Sequence, residues 1–77
     1  MKPTRMTEND LRVVARQFRR GSKTTRAEAA RDLKVSYTSI FNAEENPEES
    51  LDKLRIRIIE KYSEFTVDGP VYYLKKK

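Results

Sequence analysis

Histidine, cysteine and tryptophan are absent from this 77-residue chain, and glycine occurs only twice. Without cysteine there is no disulfide and no thiolate metal site, a usage that fits a reducing compartment. Without histidine the chain also lacks the commonest general base and the imidazole ligand of most transition-metal sites. Neither Gly21 nor Gly69 sits in a loop of the kind that cradles phosphates. No run approaches the ~20 apolar residues that span a bilayer, and the first residues carry no apolar leader core. The carboxylates fall on helix surfaces and caps, and no repeat or low-complexity segment occurs. These absences lead to the expectation of a cytoplasmic non-enzyme that uses no cofactor, no metal, no membrane and no small-molecule ligand.

What the chain has in quantity is positive charge. Seventeen Lys and Arg stand against twelve Asp and Glu, for a net charge of +5. The excess is uneven. Residues 1–34 hold ten basic and four acidic side chains, residues 35–63 hold four and six, and residues 64–77 hold three and two. A basic half on a small domain is the footprint expected for phosphate contact, although many small proteins are basic for solubility alone. A chain this short buries only about 60% of its unfolded surface, which predicts one domain over residues 1–77.

Residues 25–45, TRAEAARDLKVSYTSIFNAEE, organise the remainder. Thr25 and Glu28 have capping-box spacing, so a helix starts at Arg26 with Ala27, Ala29, Ala30 and Leu33 on its apolar face. Lys34-Val35 interrupts the pattern, and Ser36 caps a second helix with Ile40 and Ala43 inward. Two short helices, a tight turn and the small Ala30 at their crossing describe a helix-turn-helix.

At these positions the chain resembles the lambda repressor and Cro family. Ala30, Leu33, Val35 and Ile40 fall where that family places its framework Ala, Leu, Val and Ile, and Glu44-Glu45-Asn46-Pro47 matches a common exit. Lys34 stands where the family usually has glycine. If that residue is left-handed, lysine carries strain on the order of 1 kcal/mol. The resemblance implies a mainly α fold: a four-helix lambda-repressor-like domain with a C-terminal β-hairpin over residues 64–75. It also implies DNA-base contacts from the second helix of the motif, with Ser36, Tyr37, Thr38, Phe41 and Asn42 as readers. Asn suits adenine, and Thr or Phe suits the thymine methyl. Arg26, at the first turn of its helix, matches a backbone-contacting position.

Elsewhere the pattern is read from the residues. Thr7 caps a first helix with Asp10 three residues on, Leu11, Val14, Ala15 and Phe18 form its core stripe, and Gly21 supplies its stop. Arg12, Arg16, Arg19 and Arg20 occupy the other faces. With Lys23, Arg26 and Lys34 they make the phosphate-contacting set. An arginine opening a helix opposes the helix dipole, which points to a bound anion. Asn46-Pro47 and Glu49 predict a fourth helix over residues 47–62. Asp68-Gly69 between apolar runs predicts the hairpin, and residues 1–6 read as a frayed arm. Ile56 and Ile59, with Phe65, Val71 and Tyr73, exceed the needs of four short helices. They are the expected homodimer surface unless the hairpin folds back to cover them.

The expectation is a sequence-specific double-stranded DNA-binding regulator, Cro-like, repressing by occupying a promoter as a homodimer, of phage or mobile-element type by resemblance. The readings from other classes are a protein-interaction module, such as an antitoxin-like partner, and an RNA-binding protein. A helical core with no nucleic-acid role would pack Tyr37 and Phe41 inside rather than expose them.

Overall fold

The computed structural model describes residues 5–69 and 72–77. Among these residues the order of elements is β1 (Arg5–Met6), α1 (Glu8–Gly21), α2 (Arg26–Leu33), α3 (Tyr37–Glu45), α4 (Asp52–Tyr62), β2 (Phe65–Asp68) and β3 (Tyr72–Lys76). The fold is mainly helical, with a small C-terminal hairpin.

Three helix starts follow from local chemistry. Thr7 Oγ1 accepts from the Asp10 N–H at 3.1 Å, and the Asp10 carboxylate accepts from the Thr7 N–H at 2.9 Å. Thr25 and Glu28 repeat both bonds at 3.1 Å each. Ser36 Oγ accepts from the Ser39 N–H at 3.1 Å. Each satisfies donors that a helix start would otherwise leave open. Between α2 and α3, Lys34 is left-handed at φ 58° and ψ 46°. The Val35 N–H then returns to the Ala30 carbonyl at 3.0 Å, closing α2 in the way a glycine would.

The end of α1 differs from expectation. Gly21 is itself the last helical residue and is not left-handed; the reversal falls at Lys23, φ 58°. The Ser22 hydroxyl donates to the Arg19 carbonyl at 2.7 Å, and the Lys23 N–H reaches the Arg20 carbonyl at 3.0 Å, so side-chain chemistry ends the helix.

The fourth helix starts at Asp52, not Pro47. The Asn46 side chain accepts from the Glu48 N–H at 3.0 Å and its carbonyl from the Glu49 N–H at 3.3 Å, which closes a turn over Pro47 and Glu48. Arg55 holds this connection from inside. It is 1% exposed, and it donates to the carbonyls of Ala43 and Asn46 at 2.9 Å each. Arg57, an exposed residue, closes α2 from the surface, donating to the Leu33 carbonyl at 2.7 Å.

The core gathers Leu11 and Ala15 of α1, Ala29, Ala30 and Leu33 of α2, Ile40 and Ala43 of α3, and Leu54, Ile58 and Ile59 of α4. Met6 joins it, because β1 is not a frayed arm. It pairs antiparallel with β3, Arg5 opposite Tyr73 and Met6 opposite Tyr72, and the sheet order is β1-β3-β2. In the hairpin, Phe65 faces Lys76 and Asp68 faces Tyr73.

The expected dimer strip is largely covered from within the chain. Ile59 is fully buried, Ile56 and Tyr73 are half-buried, and Phe65 stacks on Phe18 at 5.8 Å between ring centres. Val71 lies outside the described residues. Two donors of β2 also have internal partners: the Phe65 N–H goes to Ser63 Oγ and the Val67 N–H to the Glu60 carboxylate, both at 3.1 Å. An edge whose donors are spent in this way is a poor template for a second strand.

Candidate functional site

Helix α3 has two unlike faces. Ile40, Ala43 and Glu44 are fully buried. On the other side Tyr37 is 52% exposed and Phe41 42%, the two large apolar side chains left outside among the described residues. They lie four residues apart and so share a face, and the exposed Thr38, three residues before Phe41, lies beside it. Of the five expected base readers, Tyr37, Thr38 and Phe41 are therefore together and accessible. Asn42 is half-buried beside them, and the Ser36 hydroxyl is committed to the cap and to Ser39 Oγ at 2.9 Å.

The seven expected phosphate contacts separate into three groups. Arg19 is a correction: it is 7% exposed, and its Nε and Nη2 both donate to the Glu44 carboxylate, Nη2 at 2.8 Å, while Nη1 donates to the Thr24 carbonyl at 2.7 Å. It belongs to the interior. Arg12, Arg16 and Arg26 stay partly exposed but have internal partners. Arg12 donates to the Glu44 carbonyl at 2.8 Å and to Asn9 at 3.1 Å. Arg16 meets the Glu45 carboxylate at 3.3 Å. Arg26 donates to Glu44 at 3.0 Å and to Glu45, and its guanidinium lies 5.1 Å from the centre of the Phe41 ring. Arg20, Lys23 and Lys34 are exposed and form no ion pair among the described residues.

Glu44 holds this arrangement together, and sequence reasoning passed over it. A carboxylate taken wholly out of water needs paired charge and filled lone pairs. Arg19 and Arg26 supply both, and among the described residues no buried side-chain polar atom lacks a partner. The trace it leaves in the sequence is positional. Glu44 follows Ile40 by four residues and Arg19 follows Ala15 by four, so opposite charges occupy the inward stripes of two helices. The first-turn arginine that opposes its helix dipole finds its anions in the same place, in Glu44 and Glu45. Burial by itself lowers the Arg26 pKa, but the Glu44 hydrogen bond and the attraction of Glu44 and Glu45 outweigh it, and the net shift is upward.

Around these residues lies an open cleft of about 450 Å³ between α1, the start of α2 and the end of α3. A second, of about 640 Å³, lies between Val35, Ser39, Leu51, Arg57 and Tyr72. Among the described residues no group of three or more His, Cys, Asp or Glu is placed to hold a metal ion. No helix is long and apolar enough to cross a membrane. Compared with protein-family models, curated protein sequences and solved structures, the chain matches none.

Proposed function

We propose that the chain is a sequence-specific double-stranded DNA-binding regulator of lambda repressor/Cro type. Helices α2 and α3 are its helix-turn-helix, and α3 is the helix that enters the major groove. One observation carries the reading: Ile40, Ala43 and Glu44 lock α3 against the body, while Tyr37, Thr38 and Phe41 of the same helix stay exposed. A helix held so firmly behind and so apolar in front suits base edges. Thr38 and Phe41 offer contact to thymine methyls, and Asn42 offers a paired contact to adenine. Helix α3 has no Lys or Arg, so phosphate contact comes from its surroundings: Arg20, Lys23 and Lys34, with Arg16 and Arg26 at the cleft. The sites favoured by such a set contain A·T pairs, and regulation follows from occupying a promoter.

One such helix reads a short segment. Two copies on a pseudo-palindrome would place two of them about 34 Å apart. Ile59, being buried, has no part in joining the copies.

The second reading, a protein-interaction module, draws on the same exposed Tyr37 and Phe41, since aromatic side chains are enriched at protein interfaces. Enrichment of random duplex DNA on the purified chain, with sequencing of what is retained, separates the two. A retained A·T-containing motif is expected. Asn42→Ala should then lose about 1–3 kcal/mol of discrimination at one base step and keep its non-specific binding. Retention of no duplex, or of duplexes without a common motif, ends the DNA reading.

A further inference from the structure

The cleft between α1 and α2 collects more charge than folding requires. Arg16, Arg19, Arg20 and Arg26 line it together with Tyr37 and Glu45. Arg19 is bound on its far side by the buried Glu44. Arg16 and Arg26 are differently placed. They come from two helices, their side chains are 32% and 24% exposed, and both donate to the single carboxylate of Glu45. That carboxylate is itself 30% exposed. Two guanidinium forks therefore converge on one anion that is wet on its other side, which is how arginines hold a phosphate. Ion pairs this open contribute little to folding, so these cations can change partner without disturbing the core. Arg26 would keep its aim after such an exchange, because Glu44 at 3.0 Å and the Phe41 ring still hold the guanidinium. The start of α2 opens on the same cleft, and its dipole favours an anion there.

We propose that this cleft is a phosphate site and that Glu45 is the internal anion that keeps it closed. A phosphate oxygen arriving between Arg16 and Arg26 displaces the Glu45 carboxylate into solvent. The charge of Glu45 therefore sets how weakly the cleft binds. The inference rests on the DNA-binding reading for the source of the phosphate, a backbone group of the duplex. Free inorganic phosphate shares the chemistry and supplies an independent probe.

Glu45→Gln keeps the shape and the acceptor oxygen and removes the charge; far-ultraviolet circular dichroism checks that the fold is retained. In the first arm, inorganic phosphate is titrated while NMR follows the arginine Nε–H groups. Glu45→Gln should bind phosphate about tenfold more tightly than the unmodified chain, as expected when one competing charge is removed. The largest shifts should fall at Arg16 and Arg26, and Glu45→Gln/Arg16→Gln should lose the gain. Glu64→Gln, an exposed acid between α4 and β2, serves as the charge control and should change nothing. In the second arm, Glu45→Gln should tighten binding to non-specific duplex DNA and steepen its salt dependence by roughly one to two units. The proposal is overturned if phosphate binds Glu45→Gln no more tightly, if Glu64→Gln gives the same gain, or if the responding arginines are others. If the phosphate gain appears and neither form retains duplex, the site stands and the DNA reading falls.

Discussion

Arginine serves opposite purposes at the two ends of this molecule. At the end formed by α1, α2 and α3, Arg16, Arg19 and Arg26 meet the carboxylates of Glu44 and Glu45. At the end formed by α4 and the sheet, Arg55 and Arg57 meet the main-chain carbonyls of Ala43, Asn46 and Leu33. Carboxylates there meet tyrosines, Tyr62 with Asp32 at 2.9 Å and Tyr72 with Asp52 at 3.1 Å, and Asp52 also meets Arg55 at 3.5 Å. A guanidinium on a carbonyl finishes a helix end, as Arg12 also does on the Glu44 carbonyl at the first end. A guanidinium on a partly wet carboxylate already sits on an exchangeable anion. The second end is thus closed mainly on main-chain partners, while the first combines a buried pair with a partly exposed one.

The largest test breaks the buried pair. Glu44→Ala leaves the Arg19 charge inside without its counter-ion, held only by the Thr24 carbonyl, and urea unfolding should show a loss of about 3–5 kcal/mol. Arg19→Met with Glu44→Leu removes both charges and should recover most of that loss; recovery of nothing would mean that the pair does more than neutralise itself. Arg55→Met strips a charged donor from two carbonyls at the other end and should cost about 2–3 kcal/mol. The salt dependence of duplex binding sharpens the contrast between the ends. Arg26→Ala should reduce the slope by roughly one unit, and Arg55→Met should leave it unchanged. Equal slopes in the two variants would dissolve the distinction.

Lys34 belongs to the first end and links stability to what was legible in the sequence. Lys34→Gly should stabilise by up to about 1 kcal/mol, because the left-handed backbone suits glycine, offset by the greater freedom glycine has when unfolded. Thermal unfolding decides it, and a lowered midpoint would show that the lysine side chain contributes more than its strain costs. That position was raised by the resemblance, which puts glycine there, whereas the end of α1 was misplaced at Gly21. The starts at Thr7, Thr25 and Ser36 were readable because each is settled within four residues. The start of α4 was not, because Asn46-Pro47-Glu48-Glu49 looks like a cap until Arg55, nine residues on, takes the Asn46 carbonyl. Two residues of β1 carry too little pattern to announce a strand. On the candidate site, the outward face of α3 followed from helical period alone. The interior of the arginine row did not, since a reading that counts every charge as surface misses Arg19 and Glu44. Their opposite signs on two inward stripes were the one clue.

The smallest effect expected lies in the tyrosine–aspartate ties of the second end. The Tyr62 hydroxyl donates to the Asp32 carboxylate and joins α4 to α2. Burial first, and then this bond and the Asp32 charge, push the Tyr62 pKa up from 10.0 to about 12. The shift favours the protonated phenol in the fold. Its contribution is therefore fully present below pH 10, the unfolded value, and is lost as pH rises from there to about 12. Tyr72 shifts upward for a related reason, its hydrogen bond to Asp52, and acts in the same direction. The comparison is cleanest in a Tyr72→Phe background, with Tyr62→Phe added or not. Near pH 7 the added substitution should cost under about 1 kcal/mol, because the pair is partly in water. Between about pH 10 and about pH 12 the protein that keeps Tyr62 should lose more stability than the one that lacks it, so that the two converge. Lysine titration in the same range affects both proteins alike and cancels in the difference. Parallel loss in the two would show that the Tyr62–Asp32 bond does not couple protonation to folding, and that packing and the Arg57–Leu33 hydrogen bond join α4 to α2 without it.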